Sequence, residues 1–205
     1  MSAPPLSNQR AIIDRRRLAA AIAEAQSRDA VLALLREALD QGRAELSRRL
    51  AEHPSAGHAH CGGHSFLLDQ LIRLIHDYAA ERLAPLPDGE TARAMTIVAA
   101  GGYGREEMAP HSDVDIAFIV ERSEDERTVA LVEAILYLLW DLGLTVGHSV
   151  RTLDDVVRMS KADGTILTAL LECRYLWGDE ALYEAATRRF YAEVVEGTER
   201  QFVAE

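Results

Sequence analysis

The stretch Gly101-Gly102-Tyr103-Gly104-Arg105-Glu106-Glu107-Met108-Ala109-Pro110-His111-Ser112-Asp113-Val114-Asp115-Ile116 decides the fold of this chain. It joins two apolar runs, Met95 to Ala100 before the glycines and Val114 to Val120 after them. A short apolar run that ends in paired glycines predicts a buried strand entering a tight turn, and the second run predicts another buried strand. Side chains on a strand repeat every second residue, so Asp113 and Asp115 share one face at the mouth of that second strand. Two carboxylates that close repel each other unless a cation sits between them. Hard oxygen ligands at this spacing suit Mg²⁺, which keeps some waters and takes phosphate oxygens at its remaining positions.

The glycines serve the same chemistry. Gly101, Gly102 and Gly104 remove side chains where the chain turns from strand to helix, so a phosphate can approach the backbone, and freed N–H groups favour negative charge there. Arg105, in the first turn after the glycines, reaches for a phosphate oxygen, and Ser112 either bonds a phosphate or caps the turn. Alone, an Asp-x-Asp at a strand start is commonly a turn device, and a Gly-Gly pair says less still. Here the two lie 12 residues apart, from Gly101 to Asp113, each at the end of an apolar strand. A glycine turn, a short helix and Asp-x-Asp on the next strand together form a compact arrangement for phosphoryl or nucleotidyl transfer.

Working outward, a loose start with Pro4 and Pro5 leads into helical spacing over 9–25 and 28–52, with Leu32, Leu34, Leu35, Ala38, Leu39, Leu46 and Leu50 as one stripe. The segment from His53 to His64 is rich in glycine and histidine and predicts a break. A second helix follows over about 65–83 and stops before Pro85 and Pro87. Beyond the second strand, 125–142 read as a helix with Val129, Val132, Leu136 and Leu139 on one side, and the Leu/Trp cluster 136–142 as core. Leu144 to Val150 predict a third strand, and Thr152 the N-cap of a further helix. Asp163 to Leu176 and Asp179 to Val195 read as two more helices. The expected fold is α+β: a small mixed sheet preceded and followed by helices.

Composition bounds the function. An apolar fraction of 48% and a charged fraction of 27% are those of a globular chain. A net charge of −11 repels polyanions, so nucleic acid is disfavoured as a partner. Arg15, Arg16 and Arg17 form the densest basic spot and read as the solvated face of a helix. Two distant cysteines, Cys61 and Cys173, make no disulfide framework and fit a reducing cytoplasm. Neither a secretory h-region nor a membrane span is expected.

Gly101-Gly102-Tyr103-Gly104-Arg105 and His111-Ser112-Asp113-Val114-Asp115 closely resemble the nucleotidyltransferase domain of the protein-PII uridylyltransferase/uridylyl-removing enzymes. The likeness continues through Leu138 to Leu144, Val146 to Thr152 and Leu170 to Asp179, in the family's order over roughly 65–180. It implies a DNA polymerase β-like core, UTP and Mg²⁺ as substrate and cofactor, transfer of UMP to a tyrosine hydroxyl of the PII signalling protein, and glutamine as an effector of the whole enzyme. The organisation expected is a helical segment with a His/Gly-rich loop over 1–64, a nucleotidyltransferase core over 65–178 and the start of a helical extension over 179–205. The family's enzymes are several times longer, so this chain reads as a fragment. Leu182, Ala185, Phe190, Val194 and Phe202 would be an apolar face covered by the missing part.

The wider polymerase β-like superfamily usually adds a third carboxylate from a neighbouring strand. Leu144 to Val150 contain no acid, and His148 and Ser149 stand where one would be sought; Asp163 and Glu172 are alternative donors. His148 itself is either a packed histidine or a contact to nucleotide phosphate or ribose, and Arg151 three residues on favours the contact. The crowd of His53, His58, His60, Cys61 and His64 matches no regular zinc spacing and reads as a flexible loop. Two other functions stay open. One is a nucleotidyltransferase with another acceptor or base, such as adenylylation of glutamine synthetase or of an aminoglycoside. The other is a regulatory domain that binds nucleotide without turnover, against which the retention of both Asp113 and Asp115 argues.

Overall fold

The structure, a computed structural model, describes residues 8–86 and 94–196. Pro4, Pro5, Pro87, Phe202 and the helical end expected over 201–205 lie outside the described residues. Four strands form one sheet: β1 (Met95–Ala99), β2 (Val114–Val120), β3 (Val146–Arg151) and β4 (Arg174–Gly178), in the order β3-β2-β1-β4. β2 and β3 run parallel, while β1 is antiparallel to both β2 and β4, so the sheet is mixed as expected. β1 is buried throughout and β2 everywhere but at Asp115, because each has neighbours on both edges and packing on both faces.

The helices are α1 (Gln9–Ile12), α2 (Arg15–Glu24), α3 (Arg28–Glu52), α4 (Gly57–Tyr78), α5 (Gly101–Gly104), α6 (Glu126–Asp141), α7 (Leu153–Ala162), α8 (Gly164–Leu171) and α9 (Glu180–Phe190). Single π-helical turns extend α4 over Ala79–Leu83 and α9 over Tyr191–Val195. Short polar side chains start most of the long helices. Ser27 accepts the Ala30 N–H and Asp125 that of Thr128, while Thr152 and Asp155 form a reciprocal capping box. The helix expected over 9–25 is broken at Ile13-Asp14, where Asp14 caps α2.

Two apolar cores lie on opposite sides of the sheet. One joins Val114, Ile116, Phe118 and Val120 of β2 to α3, α4 and α6. The other joins Ala117 and Ile119 of β2, and Val98 of β1, to α7, α8 and α9. Period-two alternation along β2 thus splits its side chains between two helical layers.

Four expectations need correction. The His/Gly-rich segment is helix from Gly57 onward, not a loop. His60 and His64 are one turn apart and face α3, and the burial they gain there outweighs the poor helix propensity of Gly57, Gly62 and Gly63. Residues 174–178 are a strand, because pairing with β1 overrides an apolar run that local pattern cannot assign. On α6 the buried side is centred on Leu131, Ile135 and Leu138, so Val129 and Trp140 lie outside it, 42% and 43% exposed. Finally, Leu182, Phe190 and Val194 are buried against this chain's own sheet and α7, so that stripe is not an open face awaiting a missing segment.

The α3–α4 contact carries a titratable pair. The Leu46 carbonyl 3.1 Å from His60 Nδ1 can only accept, so Nδ1 carries the proton; His60 Nε2 then accepts from His64 Nε2, also 3.1 Å away. Burial, with the nearby His60, Arg43 and His111, lowers the His64 pKa from 6.5 to about 4. The unfolded chain therefore binds a proton that the folded chain refuses between those values. The stability this group contributes should be complete above pH 6.5 and lost progressively down to about pH 4. Urea midpoints across that range should fall with pH in the parent. They should fall less steeply in His64→Gln, whose amide can still donate to His60; equal slopes would refute the assignment.

Candidate active site

β1 ends at Ala99, and the chain turns at Gly101, where φ is +54°, a left-handed value that a side chain rarely adopts. The single helical turn α5 follows. Its backbone is tied to the aspartate strand by Ala100 N–H donating to the Asp115 carbonyl at 2.9 Å. Gly104, Arg105 and Glu107 N–H groups are used within the turn, on Ala100, Gly101 and Gly102 carbonyls. The Gly101 and Gly102 N–H groups meet no acceptor among the described residues. α5 is too short for a helix macrodipole of consequence, so what it offers an anion is these open amides.

Asp115 is exposed within an otherwise buried strand, and Asp113 is exposed just before it. Neither carboxylate meets a donor or a cation among the described residues. A Cβ on Gly101 would stand 3.5 Å from Asp115 Oδ2, so the glycine turn and this carboxylate adjoin. On the other side, β3 pairs in register with Gly147 opposite Asp115. A Cβ at 147 would lie 2.2 Å from Asp115 Oδ1, so only glycine leaves the carboxylate where it is. Among the described residues no three His, Cys, Asp or Glu side chains gather in a metal-binding group. The two aspartates thus offer two hard oxygen donors, which fits a Mg²⁺ ion completed by water and phosphate oxygens.

The remaining candidates are distributed unevenly. Gly101 and Gly102 lie at the site, and Ser112 is exposed one residue before Asp113, its N–H on the Ala109 carbonyl at 3.1 Å. Arg105 is beside Gly102, but its guanidinium already binds Glu107 at 2.8 Å and also Glu172. A phosphate must therefore exchange with a carboxylate to engage it. His148 is not brought to the site. It is opposite Ile116 and so projects from the other sheet face, where its ring meets Trp140 edge-on with centroids 5.9 Å apart. On Asp115's own face β3 presents Gly147, Ser149 and Arg151, with no acid. The two alternative carboxylates are engaged elsewhere, Asp163 capping α8 at Thr165 N–H and Glu172 on Arg105. The sequence reading passed over Gly147, although a glycine inside a strand is itself a sign of close approach.

A mixed sheet, a glycine turn and paired strand carboxylates define a nucleotidyltransferase domain, and residues 93–173 match the family described as "Nucleotidyltransferase domain". The chain is 56% identical over 98% of its length to a bifunctional uridylyltransferase/uridylyl-removing enzyme of Novosphingobium aromaticivorans, covering 23% of that protein. The corresponding values are 54%, 100% and 23% for the enzyme so named in Erythrobacter litoralis, and 42%, 99% and 22% for that of Rhodospirillum rubrum. The chain belongs to the nucleotidyltransferase part of this bifunctional family, with the polymerase β-like core that its resemblance implied. It spans less than a quarter of the length of these relatives. No helix among the described residues is long and apolar enough to cross a membrane.

The Gly147–Asp115 contact yields a direct test. Gly147→Ala should leave the fold in place, since the atom it meets is the movable end of an exposed side chain. It should displace the Asp115 carboxylate and cut nucleotidyl transfer at least ~10-fold, a misplacement of one electrostatic group. Circular dichroism alongside a transfer assay checks both parts; normal transfer by a folded Gly147→Ala would show that the Asp115 position is not critical.

Proposed function

We propose that the chain transfers UMP from UTP to a tyrosine hydroxyl of the PII signalling protein, with release of pyrophosphate. The observation that carries this reading is the pair Asp113 and Asp115, free of any protein partner among the described residues, with the Asp115 carboxylate adjoining the Gly101-Gly102 turn. The choice of uridylyl group is supported by what the relatives are named. In this reading the acceptor oxygen attacks the α-phosphorus in line, forming the new P–O bond as the bond to pyrophosphate breaks.

Asp113 and Asp115 would hold Mg²⁺, which when bound neutralises triphosphate charge and orients the leaving group. The open N–H groups of Gly101 and Gly102 receive phosphate oxygens, and Arg105 exchanges a carboxylate partner for phosphate. These fixed groups align attacking and leaving oxygens, so positioning supplies much of the acceleration. Ser112 lies beside the aspartates as a further hydroxyl donor. A tyrosine acceptor, with a pKa of about 10 in model peptides, must lose its proton as it attacks. Of the aspartate pair, Asp115 is the one whose carboxylate adjoins the glycine turn. By the family resemblance we assign glutamine as an effector of the longer protein.

Incubating the chain with PII, Mg²⁺ and each of the four labelled NTPs tests the reading. Label should pass from UTP to PII; preferential AMP transfer would overturn the uridylyl assignment and leave the carboxylate argument standing. Asp113→Asn and Asp115→Asn keep side-chain shape but remove a charge. Each should lower transfer at least ~10²-fold, the scale of removing one preorganised electrostatic group. The variants should melt no lower than the parent without ligand, and Mg-UTP should raise their Tm much less than the parent's. Asn variants with normal turnover and the parent's ligand-induced shift would reduce Asp-x-Asp to a turn.

A further inference from the structure

Behind the glycine turn lies a polar cluster that the transfer chemistry does not use. Tyr103, the third residue of α5, is 1% exposed, and its hydroxyl donates to Asp69 Oδ1 of α4 at 2.8 Å. Arg174, the first residue of β4, forks onto the same carboxylate, with Nη1 2.8 Å from Oδ2 and Nη2 3.0 Å from Oδ1. Nη2 also lies 3.4 Å from the Tyr103 carbonyl, and the guanidinium sits 5.6 Å from the Tyr103 ring centroid. Asp69 is 7% exposed, so its charge has left water and depends on these donors. Burial and the Asp69 carboxylate raise the Tyr103 pKa well above its ordinary value, so the phenol stays a donor.

The placement of this cluster gives it a purpose. Arg174 pairs in register with Ala99, the last residue of β1, and thus stands where β1 hands the chain to the glycines. Just before Arg174, the Glu172 carbonyl lies 2.1 Å from where a Cβ on Gly104 would be, so the end of α8 presses directly on α5. A four-residue turn containing three glycines has few apolar contacts with which to hold itself still, and each glycine widens its conformational range. Tyr103 is the only large side chain in it, and that side chain is tied to two separate elements.

We propose that Asp69, Tyr103 and Arg174 are positioning residues for the nucleotide site: a triad of two buried residues and a half-buried arginine that fixes the Gly101–Gly104 turn against α4 and β4, and so sets its open N–H groups relative to Asp115. The ligand part of this inference rests on the reading that Mg-UTP binds at the turn; the geometric part does not. The triad touches neither the carboxylate pair nor the open face of the turn, so it acts only through the backbone it holds.

The experiment compares the parent chain with Tyr103→Phe, Arg174→Lys and, as a control for general destabilisation, Leu35→Ala, a buried core residue of α3 with no polar contact to the triad. Calorimetry gives Kd for Mg-UTP, and amide hydrogen exchange follows peptides covering 100–107. Tyr103→Phe should weaken Mg-UTP binding about 5-fold and Arg174→Lys about 10-fold, the scale of losing one hydrogen bond. Both should speed exchange selectively over 100–107, whereas Leu35→Ala should lower Tm with Kd and exchange at the turn unchanged. If Arg174→Lys fails to fold, Tyr103→Phe, which keeps the ring and the ion pair, carries the test. Parent-like Kd and parent-like exchange in Tyr103→Phe would overturn the proposal. A parent that does not bind Mg-UTP would instead overturn the functional reading, and selective exchange at the turn would still decide the positioning role.

Discussion

Two like charges on one strand face, with no protein cation between them, are the constraint around which this molecule is arranged. Like charges on one face repel each other unless a cation sits between them. The fold must hold Asp113 and Asp115 in place against that repulsion. It does so by making β2 an interior strand, hydrogen-bonded to β1 and β3 and packed on both faces. The aspartates sit at the start of that strand, where the packing stops and the side chains are exposed.

Every other feature of the site is a consequence of where β2 begins. The glycine turn is tied to it by the Ala100–Asp115 backbone bond, and Gly147 vacates the volume that the Asp115 carboxylate needs. The N-terminal helices bear on the site through α4, which supplies Asp69 beneath the turn and a large part of one core. α4 also supports β4 through Arg73, whose Nε donates to the Leu176 carbonyl, and through Asp77, which accepts from the Trp177 indole. The helical segment ahead of the sheet is therefore a structural partner of the site, joined to it by polar contacts as well as by apolar packing.

Much of this was legible beforehand, for definite physical reasons. β2 was placed correctly because its seven residues, apolar except for Asp115 and rich in Val and Ile, are short and bounded by turn signals. Thr152 announced its helix because a hydroxyl followed three residues later by a carboxylate is a capping box. The failures are equally specific. β4 exists through its ladder with β1, nearly eighty residues away in sequence, and nothing local distinguishes it from the end of a helix. The histidine-rich segment is helical because one side of it is buried on α3, an environment that composition does not reveal. His148 alternates away from the site by a single register position, which only the pairing with β2 establishes.

By itself, the sequence determined which residues carry paired carboxylates, where side chains are absent from a turn, and that both occur at strand ends. These follow from period-two geometry and glycine's missing Cβ, which are local properties. Only the tertiary structure decided which groups meet. It set Gly147 rather than an acid opposite Asp115, committed Arg105 to Glu107 and Glu172, and gathered Asp69, Tyr103 and Arg174 from three distant elements. Such encounters depend on strand register and helix packing, which are settled by the burial of many residues at once and are written in no single stretch of chain.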